Sequence, residues 1–236
     1  MFGLGLRWAF KARRSYVERR RTFLLLRDFT MVSEEIYCQN LALAEMARNI
    51  PGCVVECGVW RGGMSAGLCT VLGRHRIYFL FDSFEGLPPA REIDGPAALK
   101  WQADKTSPFY YDNCAARPDY AKRAMELVGA SRYELKPGFF NASLPKFTPP
   151  EPIAFLRLDA DWYESTIECL DQLFDHVAPG GIIALDDYYT WDGCSRALHD
   201  FLSKRKATER IQSFADTVCY LRKSAHTSSA CDGGVR

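Results

Sequence analysis

Short apolar runs separated by helix-length segments limit what this chain can fold into more than any other feature. CVVEC (53–57), RIYFLFD (76–82), RYELK (132–136), IAFLRLD (153–159) and GIIALDD (181–187) read as strands. Strands alternating with helices predict a parallel α/β sheet, and all of these runs but the third end in acid or glycine. Such sheets bind ligands outside the carboxyl ends of their strands. RIQSF (210–214) and TVCYLRK (217–223) lie two residues apart, too close for a crossover, and predict a terminal antiparallel hairpin.

Helices fill the gaps. Residues 33–49 open with Ser33 as N-cap and keep Ile36, Leu41, Ala44 and Ala47 near one face. Residues 163–177 space Ile167, Leu170, Leu173 and Phe174 helically, and Pro179-Gly180-Gly181 is expected to separate this helix from the next strand. Residues 192–204 direct Ala197, Leu198 and Phe201 inward. The stretch 83–116 breaks the rhythm with Pro, Gly and the aromatics Trp101, Phe109, Tyr110 and Tyr111. Its length predicts a lid or partner contact. The organisation expected is an N-terminal helical arm (1–50), one domain (51–223) carrying the 83–116 insertion, and a disordered polar tail (224–236).

Composition narrows the function. The 236 residues are 47% hydrophobic, enough for a large single core. A net charge of +1 argues against a nucleic-acid-binding surface. Arg7, Lys11, Arg13, Arg14, Arg19, Arg20 and Arg21 do crowd the N-terminus, where the plain reading is a solvated basic helix. Arg27 and Asp28 cut short the apolar stretch behind them, so no signal peptide is expected, and no run is long enough to span a bilayer. The nine cysteines lack CxxC pairs, and His75, His176, His199 and His226 make no ligand spacing. Reduced, packed thiols in a cytoplasmic protein follow.

The chemistry concentrates at strand ends. VVECGVWRGGMS gives Glu56-x-Gly58-x-x-x-Gly62 at a strand-to-helix turn, where glycines admit a ligand and a helix N-terminus offers free N–H groups. Trp60 stands where a dinucleotide fold needs its second glycine, which argues against NAD. The looser spacing with a leading carboxylate suits S-adenosylmethionine. Asp82, ending the second strand, can accept two ribose hydroxyls, and Phe139 or Phe140 can lie against adenine. Asp159 and Asp161 follow the fourth strand, and Asp186 and Asp187 the fifth. Strands four and five are neighbours in a doubly wound sheet, so Asp159, Asp186 and Asp187 converge, and clustered carboxylates call for a hard cation such as Mg²⁺. Capping of a helix would explain Asp161 but not the adjacent pair.

Together these residues resemble the macrocin O-methyltransferase (TylF/NovP-type) family of class I S-adenosylmethionine-dependent, Mg²⁺-dependent sugar methyltransferases. The matching blocks are TMVS (30–33), VVECGVWRGGMSAGL (54–68), FDSFEGLP (81–88), GFFNASLP (138–145), LRLDADWYEST (156–166), PGGIIALDDY (179–188) and CSRALHDF (194–201). The resemblance implies a Rossmann-like fold with strand order 3-2-1-4-5-7-6. It implies Mg²⁺ held by Asp159, Asp186 and Asp187, with Asp161 taking the proton from an acceptor that offers vicinal hydroxyls. It places the cofactor against Thr30, Met31, Glu56, Gly58, Val59, Trp60, Gly62, Asp82, Ser83, Gly138, Phe139, Phe140 and Asp159.

Three other readings compete. A catechol-type methyltransferase shares cofactor and metal. A glycosyltransferase binding a nucleotide-sugar through Mn²⁺ at Asp159 and Asp161 leaves the second acid pair unused. A non-catalytic relative would bind a partner through its basic arm. Homo-oligomerisation is compatible with all of them.

Overall fold

The computed structural model describes residues 15–225. Arg7, Lys11, Arg13, Arg14, His226 and Cys231 lie outside the described residues, as does nearly all of the tail expected to be disordered. A helix over 15–26 (α1) is followed by α2 (Glu34–Ala44), β1 (Cys53–Cys57), α3 (Gly63–Leu72) and β2 (Tyr78–Asp82). Then come α4 (Pro96–Ala103), α5 (Pro118–Leu127), β3 (Tyr133–Pro137), the single turn α6 (Phe140–Ser143) and β4 (Ile153–Leu158). α7 (Tyr163–Leu173), β5 (Val177–Leu185), α8 (Asp192–Arg205), β6 (Gln212–Phe214) and β7 (Val218–Arg222) complete the described chain.

The sheet has seven strands in the order β3-β2-β1-β4-β5-β7-β6, parallel through β5 and antiparallel at β7 and β6. β1, β2 and β4 are buried along their whole length, as strands covered on both faces must be. Their alternate side chains feed two cores. One holds Val54, Leu80, Phe155 and Ile182 with α2, α3 and α5. The other holds Val55, Phe81, Leu156 and Ile183 with α7 and α8.

Ser33 caps α2 by accepting from the Ile36 N–H, and Ala197, Leu198 and Phe201 are buried on α8, both as the sequence predicts. β5 differs from expectation by starting at Val177, so Pro179-Gly180-Gly181 lies within the strand instead of ahead of it. Gly180 takes φ +79° and a register shift separates Ile153 from Phe155, so the irregularity is absorbed as a bulge. Backbone bonds from Gly180 N to Lys223 O and from Lys223 N to Gly181 O hold it, both at 2.8 Å. No helix among the described residues is long and apolar enough to cross a membrane. The eight described cysteines are free; all but Cys114 are buried.

Candidate active site

The backbone ladder runs one residue past three strands. Gly58 N donates to Phe81 O, Asp159 N to Cys57 O and Asp186 N to Leu158 O, at 2.8 to 2.9 Å. The turns after β1, β4 and β5 therefore stand side by side. Gly58 is at φ +89°, and a Cβ there would overlap the Asp159 carbonyl oxygen, so only glycine lets the two turns approach this closely.

A cavity of about 680 Å³ opens over the turns after β1, β2 and β4, within the range of small-molecule sites. Of the residues expected on the cofactor, Met31, Gly58, Trp60, Asp82, Ser83, Phe139, Phe140 and Asp159 line it. Thr30, Glu56, Val59, Gly62 and Gly138 are not part of the lining. Glu56 is buried, with one oxygen accepting from Ser65 Oγ and the other from Arg157 Nη1 at 2.7 Å. Leu87, Pro88, Cys114, Asn141 and Glu164 line the cavity without having been singled out, and Ile167, expected on a core face, lines it too. Insertions carry no hydrophobic periodicity, and Cys114 is adjacent to nothing informative in sequence.

Asp82 is held by charge-assisted bonds. Its Oδ2 accepts from Trp60 N and its Oδ1 from Phe84 N, both at 2.7 Å. Both donors sit on residues with left-handed backbone, φ 48° and 59°, so these bonds offset local strain. Burial raises the Asp82 pKa against those bonds.

Beyond β4 and β5, Asp159, Asp161 and Asp187 each bring one oxygen within 4.8 Å of the others. Asp161, at φ 55°, donates its backbone N–H to Asp187 Oδ2 at 3.0 Å, and its Oδ1 accepts from the Trp191 indole at 3.0 Å. It does not cap α7; Asp94, from the 83–116 insertion, accepts the Tyr163 N–H at 2.7 Å instead. Burial, then the Asp159 charge, pushes Asp161 up to about 8. Burial raises Asp159 to about 6 despite Arg157. Asp187 is raised by burial and by Asp161.

Asp186 is already partnered by a cation of the chain. Its Oδ1 lies 2.7 Å from Arg157 Nη2 as an ion pair and accepts from Asn40 Nδ2 at 3.3 Å. The acids that gather most closely thus include Asp161 where Asp186 was expected, because Arg157 holds Asp186. Hard, mutually repelling carboxylate oxygens suit a cation of the Mg²⁺ type. Arg157 itself escaped the sequence reading; the only signal was a cation inside an otherwise apolar strand.

Three comparisons bear on this site. A family model described as macrocin-O-methyltransferase (TylF) matches residues 27–223. The 8-demethyl-8-(2,3-dimethoxy-alpha-L-rhamnosyl)-tetracenomycin-C 4'-O-methyltransferase of Streptomyces olivaceus is 32% identical over 197 residues, covering 80% of this chain and 71% of that protein. The mycinamicin III 3''-O-methyltransferase of Micromonospora griseorubida is 29% identical over 200 residues, covering 80% and 74%. Among solved structures, the O-methyltransferase NovP superposes with a TM-score of 0.69 at 25% identity, covering 84% of this chain and 83% of NovP. With its strand order and its acid-ended turns, the chain belongs to the macrocin O-methyltransferase family and is an S-adenosylmethionine-dependent O-methyltransferase.

Proposed function

We propose that this enzyme methylates a hydroxyl of a sugar or of a glycosylated small molecule, with Mg²⁺ bound at the acids beyond β4 and β5. The observation that carries this reading is the gathering of Asp159, Asp161 and Asp187, of which Asp159 and Asp161 line the cavity that also meets Gly58 and Asp82. The relative whose name carries a rhamnosyl group, the tetracenomycin-C 4'-O-methyltransferase, supports the acceptor class.

Asp159, Asp187 and Asp186 are the residues to hold the cation, and Asp82 is the acceptor for ribose hydroxyls. Bound in the site, Mg²⁺ supplies Lewis acidity that makes a vicinal diol easier to deprotonate, and S-adenosylmethionine supplies the electrophilic methyl. Asp161 receives the proton of the acceptor hydroxyl, and Trp191, by fixing one of its oxygens, presents it in one orientation. The insertion 83–116, which supplies Leu87, Pro88 and Cys114 to the wall, covers the acceptor and excludes water.

Calorimetry with Mg²⁺ and with S-adenosylhomocysteine, together with turnover on glycosides and catechols, tests the assignment. Asp161→Asn is expected to bind both ligands while turnover falls at least about 100-fold. Loss of Mg²⁺ binding in that variant would instead make Asp161 a ligand. Full turnover of the wild type in chelator, or methylation of catechols without glycosides, would overturn the reading.

A further inference from the structure

Arg157 is the one residue of β4 that does not belong in a buried strand by composition, and it is fully buried. A buried guanidinium persists only if its donors are matched to anions. Here Nη1 donates to Glu56 Oε1 at 2.7 Å and to Asp159 Oδ2 at 2.8 Å. Nη2 stands 2.7 Å from Asp186 Oδ1 without the alignment of a hydrogen bond, and Nε donates to Asn40 Oδ1 at 3.3 Å. The cross-strand register places Arg157 opposite Glu56 on β1 and Ala184 on β5, directly beneath the turns that carry the acids. Asn40, reaching in from α2, binds both Arg157 and Asp186 and so closes the network.

We propose that Arg157 is a positioning residue that acts as a resident counter-cation: it orients Asp159 and Asp186 in advance and competes with the divalent ion for their charge. The inference rests on the metal site proposed above. Its physical content is a trade. A fixed positive charge in contact with two of the carboxylates repels a second cation and weakens metal affinity. The same contacts remove rotamer freedom from the acids, so that the cation and the acceptor meet a preformed site. Arg157 touches neither Asp161, which lines the cavity, nor Asp187, which accepts the Asp161 N–H.

The test combines Glu56→Gln with Arg157→Met, so that the fully buried Glu56 carboxylate is not left without its partner. Glu56→Gln with Arg157→Gln reads the same quantity if the first variant does not fold, and Arg157→Lys retains the charge. Mg²⁺ binding to each protein is measured by calorimetry and by the Mg²⁺-dependent rise in unfolding temperature, with turnover as a second reading. Because the double variants remove one positive and one negative charge, Glu56→Gln alone is the reference; against it, loss of the Arg157 charge is expected to tighten Mg²⁺ binding by at least about tenfold, even at an effective dielectric near 20, while turnover falls. Arg157→Lys is expected to restore near wild-type Mg²⁺ affinity. General damage to the fold would lower stability without tightening the metal. Unchanged or weaker Mg²⁺ binding in the uncharged variants overturns the proposal, and so does equal tightening in Arg157→Lys, since shape and not charge would then be at work. Wild-type protein that binds no Mg²⁺ overturns the metal site itself, a result separable from the other two.

Discussion

Trp191 and Asp161 show how much one hydrogen bond can carry in this site. Asp161 sits in left-handed backbone, which frees it from α7 and turns its carboxylate toward the cluster. The Trp191 indole N–H fixes that carboxylate at 3.0 Å, and the indole is itself wedged against Trp101 and Trp162 in edge contacts of 5.3 to 6.1 Å. Trp191→Phe keeps most of the ring contact and deletes only the donor. A hydrogen bond to a charged group contributes about 1.5–3 kcal/mol, so turnover is expected to fall by about tenfold or more with S-adenosylhomocysteine affinity unchanged. Steady-state kinetics paired with calorimetry checks this; equal losses in both would mean that the ring and not the N–H matters. The acids themselves were legible, because strand ends advertise their polar residues. Their pairing was not: nothing in LRLDAD says that the arginine points into the sheet and takes Asp186 out of the closest group.

At the scale of elements, the strands were legible and the insertion was not, for one physical reason. A buried strand is specified by its own apolar run, whereas 83–116 is specified by contacts made at a distance. Asp94 illustrates this. It is buried, one oxygen accepts from Tyr163 N at the start of α7, and the other accepts from Arg91 N within the insertion. Asn113 pins the far end, donating to Leu87 O at 2.7 Å and accepting from Gln102 at 3.0 Å. Tyr111 to Cys114 form a run of left-handed residues there, φ 49° to 61°, a conformation that costs energy at each position and persists only because these contacts impose it. Asp94→Ala is therefore expected to uncap α7 and loosen the cavity wall together. A stability loss of about 1–2 kcal/mol and a raised KM for the acceptor are expected, with cofactor affinity little changed, measured by urea unfolding and initial rates. Stability lost without any change in KM would confine Asp94 to a structural role.

For the whole molecule, the seven-stranded order converts local sequence into a concentration of buried negative charge, and that charge ties stability to pH. Glu56 lies at the centre of the sheet, and burial, opposed by Arg157 and Ser65, moves its carboxyl from 4.5 up to about 7. The folded state therefore holds this proton more tightly than the unfolded chain does. Its contribution is fully present below about pH 4.5 and is lost as pH rises through 7, a loss of about 3 kcal/mol at 1.4 kcal/mol per unit. Asp159 and Asp161, raised to about 6 and about 8, act with the same sign, so the protein in chelator should be less stable at pH 8.5 than at pH 5.5. Glu56→Gln removes the titration but keeps the shape and the contact with Ser65. Urea unfolding in chelator at the two pH values should show a smaller drop for Glu56→Gln than for wild type, the remainder belonging to the aspartates. Equal drops would place Glu56 ionised in the fold at both pH values, with the Arg157 ion pair outweighing the cost of its burial.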